Sequence, residues 1–196
     1  ACISPVPVYN TFSLVNIVAP TSASTAGLWD RTVRLYRKGG MMAEKLKVLF
    51  LCTGNSCRSQ MAEGWTRHLR GDLIEVYSAG VEKHGLNPRA VKVMQEVGID
   101  ISDHTSKHVS EVTHIPFDYV VTVCGHAKEN CPVFPGKATV VHQGFDDPPK
   151  LAADAETESE ALKPFRRVRD EIKAYVETLP DALLTHDAMD FHTGIG

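Results

Sequence analysis

The chain has 196 residues, of which 43% are hydrophobic and 23% charged, with a formal net charge of -3. That length fits one domain with extensions, and the balance is that of a globular protein. The small negative charge gives no global reason to expect nucleic acid or a membrane surface as partner, and no apolar run approaches the ~20 residues of a membrane helix.

Residues 1–44 read as an N-terminal extension outside the fold. Asp30 is the only acid before residue 41, against Arg31, Arg34, Arg37 and Lys38, and Ser, Thr and Pro are common up to Ser24. Three origins compete. The preferred one is translated upstream sequence ahead of Met41-Met42; the others are an acid-poor targeting peptide and a true extension with a short helix over Trp29 to Tyr36. No chemistry is assigned to it.

The folded unit is expected over residues 45–184. Lys47 to Leu51 reads as a buried strand. Ser59 to Leu69 reads as a helix, with Met61, Trp65 and Leu69 at helical spacing. Leu73 to Tyr77 is a second strand. Asn87-Pro88 opens another helix with Val91, Met94 and Val97 as its apolar face, closed by Gly98. Phe117 to Val123 is a continuous apolar strand of the parallel-sheet type, and Ala138 to Val141 a shorter fourth. Phe165, Val168, Ile172, Val176 and Leu179 mark the buried face of a last helix. Pro164 is expected at or near its start, because an interior proline breaks the hydrogen-bond ladder. Residues 185–196 read as a loose tail. Strands alternating with helices predict an α/β fold, a single-domain open four-stranded parallel sheet flanked by helices with right-handed crossovers.

Five cysteines, Cys2, Cys52, Cys57, Cys124 and Cys131, are an odd number in a chain too large for a disulfide-stapled mini-domain. A reducing compartment with reactive thiols, the cytoplasm, is the expectation.

The strongest chemical signal is Cys52-Thr53-Gly54-Asn55-Ser56-Cys57-Arg58-Ser59, which follows an apolar strand and opens a helix. A helix N-terminus offers unpaired N–H groups and partial positive charge, so the loop suits a tetrahedral oxyanion, and Arg58 adds a fork of donors. Both effects favour the Cys52 thiolate, the attacking form. Gly54 permits backbone geometry that a side chain hinders, Asn55 tolerates a left-handed conformation, and Ser59 can hydrogen-bond the Cys52 sulfur. A bare Cys-x5-Arg is common by chance; the flanking strand and helix make it specific. The competing reading is a buried structural cysteine beside a surface arginine.

Two further segments bear on that loop. In Phe145-Asp146-Asp147-Pro148-Pro149, Asp147 can supply the proton for a leaving oxygen, and Pro148 biases it toward an extended backbone that keeps the carboxylate from capping a helix. Taken alone, Asp-Pro marks a turn. In Cys124-Gly125-His126-Ala127-Lys128-Glu129-Asn130-Cys131-Pro132, Cys124 follows a strand and can face the same end of the sheet as Cys52, where open parallel sheets bind ligands. An intact helix would separate Cys124 from Cys131 by about 10.5 Å along its axis. A disulfide needs Cα atoms at roughly 4.4–6.8 Å, so a bond between them requires the segment to unwind. The segment is a candidate redox switch; two buried thiols, or a zinc site with His126 and His142, are the alternatives.

Residues 46–180 resemble the thioredoxin-coupled arsenate reductases built on the low-molecular-weight tyrosine phosphatase fold. The likeness is carried by Cys52 to Glu63, Tyr77-Ser-Ala-Gly80, His84-Gly-Leu-Asn-Pro88, Val97 to Ser102, the Cys124/Cys131 spacing, Gly144 to Pro148, and Arg167-Val-Arg-Asp-Glu-Ile172. The tyrosines that often follow Asp-Pro in the phosphatases are replaced by Pro149 and Lys150. The resemblance implies arsenate held by Thr53 to Ser59, attack by Cys52, and protonation of the leaving oxygen by Asp147. A relay through Cys124 and Cys131 then ends in regeneration by thioredoxin, with Cys57 structural. It implies no bound cofactor or metal, and arsenate and thioredoxin as partners; a monomer is the default expectation. A low-molecular-weight protein tyrosine phosphatase is the alternative function, and a non-catalytic redox or arsenic-sensing module the third. Some members bind potassium through positions matching Asn55, Glu63 and Ser78 plus an aspartate. This chain has Lys107 in the aspartate's place, an ammonium that can stand in for the ion.

Overall fold

The structure is a computed structural model that describes residues 44–125 and 138–190. Four parallel strands form one sheet in the order β2-β1-β3-β4: β1 Leu46–Cys52, β2 Ile74–Gly80, β3 Tyr119–Thr122 and β4 Thr139–His142. The helices are α1 Arg58–Arg70, α2 Pro88–Gln95, α3 Pro148–Leu151, α4 Glu158–Glu177 and α5 Asp181–Asp190. This is the α/β fold expected. Val48, Leu49, Phe50 and Leu51 are all fully buried, because β1 lies between β2 and β3 and is covered on both faces.

The order of strands positions the chemistry. From β1 the chain goes first to β2 on one side and later to β3 on the other, so the boundary between β1 and β3 is the switch point where such sheets open a crevice. Cys52 ends β1, paired in register with Gly80, and Val123 just past β3 still donates its N–H to the Leu51 carbonyl at 2.9 Å. Cys124 therefore emerges beside Cys52.

Several local expectations need correction. The buried face of α2 is Ala90, Val93 and Met94, and Val97 is 38% exposed beyond the helix end. The helix starts with the Asn87 side chain accepting from the Arg89 and Ala90 N–H groups. Gly98 does terminate it, at φ +79°, with Ile99 N–H donating back to Met94. Pro164 lies inside α4 rather than at its start. The carbonyl it leaves without an intrahelical donor belongs to Glu160, an exposed residue in the first turn that solvent can reach. The Thr157 side chain, accepting from Glu160 N–H at 3.2 Å, sets the true start.

Strand limits also differ. β2 begins at Ile74, leaving Leu73 44% exposed, and runs three residues past Tyr77 to Gly80. Phe117 precedes β3 and packs edge-on to Tyr77 with ring centroids 5.5 Å apart. The tail boundary expected at residue 185 falls inside α5, which buries Leu183 and Leu184. The expectations for residues 1–43 and 191–196 lie outside the described residues. No helix among the described residues is long and apolar enough to cross a membrane.

Candidate active site

The loop between β1 and α1 wraps back on the Cys52 sulfur. Asn55 N–H donates to it at 3.1 Å and the Ser59 hydroxyl lies 2.8 Å away. Asn55 adopts φ +46°, the left-handed conformation its residue type tolerates, and is fully buried. Its amide donates to the hydroxyls of Ser59 at 3.0 Å and Ser78 at 2.9 Å, and its Oδ1 accepts from Lys107 N–H at 2.7 Å and Gln60 Nε2 at 3.0 Å. Every donor and acceptor of that buried amide has a partner, so the loop is held from beneath before any substrate arrives. No side chain caps the N-terminus of α1.

Glycines allow the close approach. A Cβ on Gly54 would lie 2.3 Å from His84 Nδ1, so a side chain here would have to displace the His84 ring. A Cβ on Gly80 would meet the backbone atoms Glu82 O, Thr53 O and Asn55 N at 2.4, 2.6 and 2.7 Å. The backbone bonds Glu82 N–H to Thr53 O (2.8 Å) and His84 N–H to Gly54 O (3.0 Å) stitch the loop to the segment after β2.

The expectation of a stabilised thiolate meets an opposing cause. Burial pushes the Cys52 thiol up from its ordinary value; hydrogen bonds with the Ser59 hydroxyl and the Asn55 and Ser59 N–H groups oppose this, while the neighbouring Cys124 pushes up as well. Cys57, also buried, is pushed up to about 12, chiefly by burial.

Arg58 and Asp147 are brought together. Arg58 Nη2 lies 3.1 Å from Asp147 Oδ1, and Nη1 donates to the Phe145 carbonyl at 3.0 Å. Asp147 has the extended backbone expected before Pro148, φ −91° and ψ 102°, and although it precedes α3 its side chain makes no capping bond. Its carboxylate thus stays at the mouth of a cleft of about 450 Å³ lined by Cys52, Thr53, Gly54, Ser56, Cys57, Arg58, His84 to Pro88, Asp147 and Pro149.

Cys124 is buried and its sulfur lies 3.3 Å from the Thr53 hydroxyl. Cys52, Cys57 and Cys124 are all free thiols. Cys131 and His126 lie outside the described residues. Asn55, Glu63, Ser78 and Lys107 also converge: Ser78 donates to Glu63 Oε2 at 2.5 Å, the Lys107 ammonium is 3.8 Å from the same oxygen, and it donates to the Thr105 carbonyl at 3.1 Å. Arg67 takes Glu63 Oε1 at 2.6 Å. Among the described residues there is no group of three or more His, Cys, Asp and Glu placed to hold a metal ion.

Residues without an assigned chemical role join the site. His84 lines the cleft over Gly54, with Nε2 2.6 Å from a Glu82 carboxylate oxygen. Gln60, fully buried, donates from Nε2 to the Asn55 carbonyl and Oδ1 and the Thr105 carbonyl. A polar residue at a buried helical position was the available sign for Gln60. For His84, thirty-two residues from Cys52 in sequence, no local pattern points to the loop.

Comparison with known proteins agrees with this geometry. The sequence profile of the family "low molecular weight phosphotyrosine protein phosphatase" matches residues 47–188. An arsenate reductase of Halalkalibacterium halodurans is 52% identical over 137 residues, 70% of this chain and 96% of that protein. A solved arsenate reductase in a phosphate-binding state superposes with a TM-score of 0.54 at 35% identity, covering 68% of this chain and 95% of that one. A thioredoxin-dependent arsenate reductase of Corynebacterium glutamicum gives a TM-score of 0.53 at 26% identity over 80% of this chain and 71% of that one.

Proposed function

The chain belongs to the low molecular weight phosphotyrosine protein phosphatase family, and we propose that within it this protein is an arsenate reductase regenerated by thioredoxin. The observation that carries the reading is the buried Cys124 thiol, 3.3 Å from the hydroxyl of the residue next to Cys52. Phosphoester hydrolysis needs the nucleophile, the cradle and the acid; it has no use for a second thiol at the mouth of the loop.

Arsenate enters the cradle of loop N–H groups, and the Cys52 sulfur attacks arsenic. One arsenic–oxygen bond breaks, and Asp147 gives a proton to the departing oxygen. Cys124 then attacks the Cys52 sulfur. The new S–S bond takes the place of the S–As bond, whose electron pair stays on arsenic, so arsenic is reduced from the pentavalent to the trivalent state and leaves as arsenite. Cys131 next attacks Cys124, freeing Cys52 and leaving a Cys124–Cys131 disulfide that a reduced dithiol protein, thioredoxin, opens by exchange. The role of Cys131 rests on the resemblance alone.

The same proposal includes a cytoplasmic monomer, since the relay needs reduced thiols, with no bound cofactor. It also includes Lys107 as a built-in replacement for a cation beside Glu63. The deciding experiment substitutes Cys124→Ser and Cys131→Ser separately. Each is expected to abolish arsenate turnover with thioredoxin while sparing cleavage of a small aryl phosphate. Arsenate turnover by both variants overturns the three-thiol relay.

A further inference from the structure

Arg167 has no part in the chemistry above, yet it holds the neighbour of the acid. It rises from α4 and donates from Nη2 to Asp146 at 2.8 Å, with Nη1 fixed by Glu171 one turn on at 2.7 Å. Asp146 is the middle residue of a tripeptide gripped at both flanks by Arg58, which binds the Phe145 carbonyl at 3.0 Å and Asp147 at 3.1 Å. The Phe145 ring rests edge-on against Tyr175 of α4, with ring centroids 6.2 Å apart. Two arginines from different elements therefore clamp the acid-bearing segment, one from the oxyanion loop and one from the helix behind it.

Stability does not account for the outer clamp. Arg167, Asp146 and Glu171 are 48%, 62% and 41% exposed, and ion pairs so placed add little to folding. Geometry does account for it. The Asp147 side chain makes no capping bond, so the carboxylate owes its direction to how the backbone of residues 145–147 is held. Arg58 must also serve the oxyanion, and a second anchor keeps the segment in place while it does.

We propose that Arg167 is a positioning residue for the acid step, acting through Asp146 to hold Asp147 in reach of the leaving oxygen. The inference rests on the reading of Asp147 as the acid. Displacement of a reacting group by about 1 Å can cost up to ~100-fold in rate, and Arg167→Gln should lose on the order of tenfold.

The test is a double-mutant cycle on the full chain, read as the single round of arsenite release per enzyme at varied arsenate without thioredoxin. Arg167→Gln is expected to slow release about tenfold with unchanged half-saturation by arsenate and an unchanged thermal midpoint. Asp146→Ala, which removes the acceptor of the same bond, should match it. In an Asp147→Asn background, Arg167→Gln should add less than about a twofold loss, since the group it positions is gone. An equal loss in both backgrounds shows that Arg167 acts elsewhere and overturns the proposal. A slow Asp147→Asn enzyme beside an unimpaired Arg167→Gln enzyme also overturns it, while leaving the acid assignment standing. If Asp147→Asn alone is unimpaired, the acid assignment itself falls.

Discussion

The Thr53 hydroxyl sits 3.3 Å from the Cys124 sulfur, joining the first residue after the nucleophile to the thiol that follows β3. The contact crosses the switch point of the sheet and ties two segments seventy-one positions apart. A hydroxyl there can donate to sulfur as Cys124 turns into the attacking group. Thr53→Val keeps the shape and removes the donor. Arsenite release in a single turnover should slow about tenfold, the scale of one lost hydrogen bond to a charged group, with arsenate half-saturation unchanged. Wild-type rates in Thr53→Val would show that the contact is only packing.

The Cys52 thiol is pushed up by burial and held down in part by Ser59. A hydrogen bond to the sulfur favours its charged form, so losing it raises the thiol further. Ser59→Ala should therefore move the pH profile of Cys52 alkylation by iodoacetamide to higher pH, with slower inactivation at any fixed pH below the plateau. A profile shifted to lower pH, or not shifted, contradicts the role given to Ser59.

Gly80 faces backbone on three sides, and backbone cannot swing away as a side-chain tip can. Gly80→Ala must push the Thr53–Asn55 loop off the strand end. A loss of about 1–3 kcal/mol in urea unfolding is expected, typical of overpacking, together with loss of phosphate binding measured by calorimetry. Wild-type stability and phosphate affinity together would show that the loop tolerates the shift.

Lys107 places an ammonium 3.8 Å from Glu63 and within hydrogen-bond distance of the Thr105 carbonyl. Arsenate turnover should accordingly be equal in sodium and potassium buffers of matched anion. Lys107→Asp converts the cation into a ligand and should confer potassium stimulation. Strong potassium activation of the unaltered protein would remove Lys107 from this role.

Local chemistry made much of the protein legible in the chain itself. An apolar run ending in Cys52, a polar loop and Arg58 ahead of a helix define a nucleophile and an anion cradle, because each needs only neighbours in sequence. Pro148 sets the backbone of Asp147 for the same reason. Helix faces were harder where packing decides which apolar residues turn inward, as in α2, and Pro164 was misplaced because the carbonyl it leaves without a donor lies in an exposed first turn that solvent can reach. Tertiary structure alone decided other long-range relations: Cys124 against the Thr53 hydroxyl, Gln60 beneath Asn55, His84 against Gly54, and Arg167 behind the acid. They depend on strand order and register, which bring together residues that no periodicity links. Burial set the direction of the Cys52 thiol in the same way: a loop motif states which donors are near a sulfur, but the packed fold decides how much water it loses.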